Sequence, residues 1–375
     1  MFVPRYPPGQ ATAPASGQPG TRRGQETADE PPAAVTRPRP GQGRPKSQYG
    51  GSPGRGFLYD LGLVTTTTAV TVRVPAKVNL QLAVGPARED GYHDLVNVFH
   101  AVALFDEVTV TGARTRATGG PVELTAEDAS GGGLASHVAR VPLDSTNLAW
   151  RAAELLARET GAREPVRLHL RKAIPVAGGM AGGSADAAAA LVACDAFWGT
   201  GLDRDGLLEL AARLGSDVAF PLLGGTAVGT GRGEVLAPAR CAARLHWAFA
   251  LSEGGLPTPG VFAAYDRLRP DAREPQGDSA LMAALAEGDA PAVGAALSND
   301  LQPAALELRP VLAETLQAGR AAGALGAFVS GSGPTCAFLA ASAEHAERVA
   351  AAVRTAPDCA YAVTAYGDVP GTTIL

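Results

Sequence analysis

A run of thirteen residues, Ile174 to Asp186, reads Ile-Pro-Val-Ala-Gly-Gly-Met-Ala-Gly-Gly-Ser-Ala-Asp and sets four glycines between a strand-like segment and an alanine-rich one. Glycine turns tightly and lets a ligand approach the backbone, and a helix that follows aims unpaired N–H groups at an anion. Upstream, Val166, Leu168 and Leu170 alternate with Arg167, His169 and Arg171, as a half-buried strand does. Downstream, Ala185 to Trp198 is rich in helix formers, with Ser184 or Asp186 as the expected cap and Gly199 as the stop. Strand, glycine loop and helix together read as a phosphate cradle, with ATP as the candidate ligand. The loop is not a Walker motif, because Ser184 stands where that motif needs lysine, and it lacks the dinucleotide pattern. An ordinary glycine-rich turn is the alternative, and the flanking strand and helix weigh against it.

A chain of 375 residues can bury a large core and is expected to form two domains. Its formal net charge of −5 speaks against a nucleic-acid partner. The richest apolar stretch is broken by Asp186 and Asp195, so no membrane span is expected. Cys194, Cys241, Cys336 and Cys359 are widely spaced with no CxxC, which points to a reduced compartment and no structural metal. Pro4, Arg5, Pro7 and Pro8 occupy the place where a signal peptide needs an apolar core, so the expected compartment is the cytoplasm. Residues 1–50 hold ten prolines and seven glycines with little aliphatic content, and residues 1–69 are expected to be a disordered extension. A start of translation at Val64 or Val70 would remove most of it.

Order is expected from Val70. Val72, Val74, Val78, Leu80 and Leu82 fall on one face of a strand, and Arg73, Lys77, Asn79 and Gln81 fall on the other, which should meet solvent or a ligand. A second strand, Leu95 to Phe105, returns across a turn carrying Asp90-Gly91-Tyr92-His93. The chain has only three lysines, Lys46, Lys77 and Lys172, against 29 arginines. A compact ammonium at Lys77 suits a point contact to a phosphoryl group or a carboxylate, although a surface strand lysine is the plainer reading. In Leu214-Gly215-Ser216-Asp217-Val218, a helix capped by Asp203 ends at Gly215, leaving Asp217 in a turn, as a cap or as a base for a substrate hydroxyl. Ser330-Gly331-Ser332-Gly333 reads as a hairpin turn more readily than as a ligand site.

Taken together, Pro75-Ala76-Lys77-Val78-Asn79-Leu80, Asp90-Gly91-Tyr92-His93, the loop, Leu214 to Val218 and Ser330 to Gly333 resemble the GHMP kinase superfamily over about residues 70–366. The pairing of Pro-Ala-Lys-x-Asn-Leu with Asp-Gly-Tyr-His narrows the resemblance to the branch that phosphorylates a cytidine diphosphate-linked methylerythritol. The resemblance implies an α+β, two-domain GHMP-kinase-like fold with the active site between the domains, a kinase domain over 70–236 and an α+β sandwich over 237–375. It implies Lys77 and Asp217 as the catalytic pair. It places ATP on Pro175, Val176, Ala177, Gly178, Gly179, Met180, Ala181, Gly182, Gly183, Ser184 and Ala185, with Lys172 and Asn147 on the same side. Asn79, Tyr92, His93 and Phe262 would hold the cytidine end, Tyr92 and His93 by their ring faces. Mg2+ would accompany ATP, and the enzyme would work as a monomer or homodimer on a small molecule. Ala181 departs from the family by replacing a glycine common in the loop, which leaves the backbone less freedom. In the second half the expected elements are strands at 247–251, 327–330, 335–339 and 359–366 and helices near 259–268, 278–296, 307–322 and from Ser342.

Overall fold

The computed structural model describes residues 68–113 and 122–375. Nearly all of the extension expected over 1–69 lies outside the described residues. The described residues belong to one compact unit.

The first half is built on two long strands. β1 (Ala69–Ala87) pairs antiparallel with β2 (His93–Gly112), and breaks of register at Pro75/Ala76, Asn79/Gln81 and Val84/Ala87 let the ribbon bend. β3 (Val122–Asp128) is followed by the single-turn α1 (Ala135–Val138), by α2 (Leu148–Thr160) and by β4 (Val166–Lys172). β4 buries Val166, Leu168 and Leu170 and exposes Arg167 and Arg171, as its alternation requires. The glycine loop then leads into α3 (Gly182–Trp198), α4 (Arg204–Leu214), the short α5 (Ala219–Leu223) and the hairpin of β5 (Thr226–Thr230) and β6 (Val235–Ala239). α3 is apolar all round and buried from Ala185 through Leu191, the mark of a central core helix, and it packs against α2 and the β1/β2 ribbon.

The second half contributes β7 (Leu245–Leu251), α6 (Thr258–Leu268), α7 (Ser279–Glu287), α8 (Ala290–Ala296) and β8 (Ser298–Asn299). α9 (Gln302–Leu308), α10 (Leu312–Ala321), β9 (Gly326–Val329), β10 (Cys336–Ala340), α11 (Ala343–Val353), β11 (Tyr361–Gly367) and β12 (Thr373–Ile374) complete it. β11, β7, β10 and β9 form a four-stranded antiparallel sheet, while the eight-stranded sheet has the order β12-β1-β2-β4-β3 with β5, β6 and β8 attached. β8 and β12 thus return to β1, and residue 236 lies inside β6, so the larger sheet extends past 236 and draws strands from both halves.

Two expected helices are each broken in two. The 278–296 segment divides where Gly288 adopts a left-handed φ of 78° and Asp289 caps α8 through Ala292 N at 3.0 Å. The 307–322 segment is interrupted at Pro310, between α9 and α10. The expected cap of α3 is also corrected. Its N-cap is Ala181 at φ 58° with no side-chain bond, and Asp186 is buried and paired elsewhere.

Candidate active site

The polar face of β1 is turned inward, not to solvent: Lys77, Asn79 and Gln81 are all buried. Lys77 Nζ donates to Asn79 Oδ1 at 2.7 Å and to the carbonyl of Gly179 at 3.1 Å, and its backbone N–H reaches the Met180 carbonyl at 3.4 Å. Asn79 Nδ2 in turn donates to Asn97 Oδ1 on β2 at 2.9 Å. Among the described residues the only carboxylate beside the Lys77 ammonium is Asp217, whose Oδ2 is 3.6 Å away and whose side chain is 34 % exposed. Burial pushes the Lys77 pKa below its ordinary value, and Asp217 offsets that only in part. The structure therefore brings Lys77 and Asp217 together, the first buried and the second partly exposed. Asp217 sits in the turn between α4, which Asp203 caps at Gly206 N, and α5.

The glycine loop divides into a packed part and an open part. Pro175, Gly178, Met180, Gly182 and Ala185 are buried, Val176, Gly179, Ala181 and Ser184 are half-buried, and Ala177 and Gly183 are exposed. A Cβ on Gly179 would stand 2.1 Å from the Ser330 carbonyl, so this glycine is required by the protein's own packing. A Cβ on Gly183 would meet only Leu148 Cδ1, at 3.9 Å, which leaves its outer side clear for a ligand at the start of α3. Ala177 and Ala181 hold left-handed φ values of 54° and 58°, conformations that glycine adopts at less cost.

Lys172 and Asn147 have their polar atoms engaged by the protein. Lys172 continues the buried face of β4, and its side chain is 1 % exposed. Its ammonium donates to Asp106 and, at 2.6 Å, to Asp186 Oδ2. Asp106 Oδ1 also accepts the backbone N–H groups of Ala173 and Ile174 at 2.6 and 2.8 Å, so this cluster anchors the entry to the loop. Asn147 caps α2 through Ala149 N at 2.8 Å and donates to the Pro142 carbonyl at 2.8 Å.

Tyr92 immediately precedes β2, His93 opens it, and Phe262 lies on α6. Tyr92 is 47 % exposed and has Arg232 5.2 Å from its ring centroid. His93 is buried, with Phe262 4.9 Å from its ring at 35°, Tyr265 edge-on at 6.0 Å, and Nε2 bonded to Asp266 at 2.8 Å. His93 therefore gives one face to Phe262, and of the two expected stacking rings Tyr92 is the exposed one.

Two residues, Asn97 and Arg232, carry no assignment in the sequence, and the Ser330–Gly333 motif carries no sign of where it docks. The Ser330–Gly333 turn between β9 and β10 docks on the glycine loop, where Ser330 Oγ donates to the Gly179 carbonyl at 3.2 Å and a Cβ on Gly331 would lie 3.3 Å from Asn79 Oδ1. Its four-residue pattern was visible, but its docking depends on a contact across 151 residues. Asn97, which steadies Asn79, carried no motif. Arg232 lay inside Gly231-Arg232-Gly233, a signal that reads only as a turn.

No described helix is long and apolar enough to cross a membrane. Residues 147–225 match the model of the GHMP kinases N terminal domain, and residues 281–358 match that of the GHMP kinases C terminal domain. A 4-diphosphocytidyl-2-C-methyl-D-erythritol kinase of Thermobifida fusca is 67 % identical over 82 % of this chain and 99 % of its own. One of Streptomyces coelicolor is 57 % identical over the same shares. A solved structure of 4-(cytidine 5'-diphospho)-2C-methyl-D-erythritol kinase is 33 % identical with a TM-score of 0.63, covering 79 % of this chain and 98 % of that one. Mevalonate kinase of L. major, solved with R-mevalonate, has the same TM-score at 14 % identity over 80 % of this chain and 96 % of that one, a likeness of fold alone.

Proposed function

Since the chain belongs to the GHMP kinases, and among them to the 4-diphosphocytidyl-2-C-methyl-D-erythritol kinase family, we propose that it transfers the γ-phosphoryl group of ATP to the 2-hydroxyl of that cytidyl substrate, in the non-mevalonate route to isoprenoid precursors. The observation that carries the reading is the Lys77–Asp217 pair, 3.6 Å apart, with the glycine loop bonded to Lys77 and the carboxylate partly open to solvent. Asp217 orients the acceptor hydroxyl and takes its proton as the hydroxyl oxygen bonds to the γ-phosphorus and the bond to the β-phosphate oxygen breaks, releasing ADP. Lys77, held in place by Asn79, keeps a compact cation beside both the carboxylate and the transferring group. The backbone around Gly183 and the first turn of α3 hold the ATP phosphates. Lys172 acts from beneath, fixing the loop's entry through Asp106.

The donors at the loop fit Mg2+ carried in on ATP. Asp217 and the Ser184 hydroxyl are the hard oxygen groups near its mouth, and among the described residues no three His, Cys, Asp or Glu side chains gather into a cage of their own. Bound there, the ion neutralises phosphate charge. Tyr92 and Phe262 give the cytosine its aromatic contacts, and a kinase drawing on ATP works where ATP is abundant, in the cytoplasm. The test is ADP release from ATP with 4-diphosphocytidyl-2-C-methyl-D-erythritol, mevalonate or homoserine as acceptor. The reading expects turnover with the first alone, and preferred turnover of either other acceptor would refute it.

A further inference from the structure

We propose that Arg232 grips the diphosphate of the acceptor substrate. The inference rests on the proposed function for the acceptor's identity and adds a binding residue to it. Arg232 lies in the turn between β5 and β6, flanked by Gly231 at φ 69° and Gly233 at φ 111°. One side of this turn faces Asp217, since a Cβ built on Gly233 would stand 4.0 Å from Asp217 Oδ1. Its other side is tied to the start of β2, where Leu95 N donates to the Gly231 carbonyl at 2.7 Å, and the Arg232 guanidinium lies against the Tyr92 ring. The turn therefore spans the distance from the exposed aromatic to the base. A substrate with its cytosine at Tyr92 and its reacting hydroxyl at Asp217 has its diphosphate between those ends, along Arg232.

The guanidinium is prepared for that contact. Nε donates to Glu234 Oε1 at 3.2 Å, and the Arg232 backbone N–H donates to Glu234 Oε2 at 2.7 Å, which fixes the direction of the side chain. Among the described residues neither Nη has a protein acceptor, and the side chain is 35 % exposed. The two Nη groups form a fork that matches a pair of phosphate oxygens. Neighbouring cations are committed elsewhere. Arg88 has both ends of its fork on Asp90 and Asp94, at 2.7 and 3.0 Å, and Lys77, beside Asp217 at 3.6 Å, serves the transferring phosphoryl group. The Glu234 carboxylate holds the Arg232 Nε and backbone N–H without occupying either Nη.

The experiment compares cytidine with cytidine diphosphate, titrated calorimetrically into the full chain and into Arg232→Gln, alongside KM and kcat for both substrates. Arg232→Gln should weaken cytidine diphosphate about tenfold or more, the worth of a charge-assisted phosphate contact, and leave cytidine within about twofold. KM for the acceptor should rise in step while KM for ATP holds. Arg232→Lys should recover part of the loss through its charge. Equal weakening of cytidine and cytidine diphosphate would overturn the inference, reducing Arg232 to a support for Tyr92, and so would unchanged affinity for cytidine diphosphate. Failure of the parent protein to use the cytidyl acceptor would instead refute the proposed function.

Discussion

Lys77 and Lys172 are both buried lysines, the first bonded to the glycine loop and the second to the carboxylates that flank it, and their surroundings are opposite in kind. Lys172 is enclosed, with two carboxylates, Asp106 and Asp186, that are themselves buried. Burial alone would depress its pKa, but the two anions outweigh that and hold it above the ordinary lysine value. Lys77 has neutral oxygen partners at bonding distance, its one carboxylate stands off at 3.6 Å with a third of its side chain in solvent, and burial prevails, so its pKa is lowered. A saturated ammonium holds structure together, whereas an under-coordinated one beside an accessible carboxylate has capacity left for an incoming phosphoryl group.

The largest expected effect separates the two by stability. Lys172→Met strands two buried carboxylates and should cost about 3–5 kcal/mol, because removing one partner of a buried ion cluster leaves uncompensated charge. Lys77→Met removes a desolvated ammonium whose carboxylate can turn to water, so stability should change by about 1 kcal/mol or less while turnover collapses. Urea denaturation of both variants checks this, and equal losses of stability would erase the distinction between the two lysines.

Much of this contrast was present in the sequence, but in unequal measure. The alternation of β1 placed Lys77 and Asn79 on one face, and the strand, glycine run and helix placed the loop. The same alternation of β4 puts position 172 in phase with Val166, Leu168 and Leu170, so Lys172 was already on the buried face, a sign of a paired cation. Its partners were not legible, since Asp106 lies 66 residues upstream and Asp186 mimics a helix cap. The broken helices had local signals in Gly288-Asp289 and Pro310 that apolar periodicity overrode. The docking of Ser330–Gly333 on Gly179 is a tertiary event, and nothing local to a Ser-Gly-Ser-Gly turn distinguishes it from any other hairpin.

A smaller effect sharpens the comparison at the loop itself, which follows Lys172 in the chain and is bonded to Lys77 through Gly179. Ala181 opens α3 from a left-handed conformation, so Ala181→Gly should relieve strain of about 1–2 kcal/mol, less the extra entropy of the unfolded glycine chain. The expected gain is up to about 1 kcal/mol in urea denaturation with kcat nearly unchanged. A clear loss of stability would mean that the methyl group contributes packing that outweighs its backbone strain.

The most direct test of the Lys77–Asp217 pair is Asp217→Asn, which keeps the side chain's shape and removes its capacity to take a proton. With ATP affinity measured by calorimetry and turnover by ADP release, kcat should fall by about 10²-fold or more while ATP binding and the urea midpoint stay close to the parent's. A variant that binds ATP and turns over the cytidyl acceptor at near the parent rate would contradict the account, because Asp217 would then be only a neighbour of Lys77.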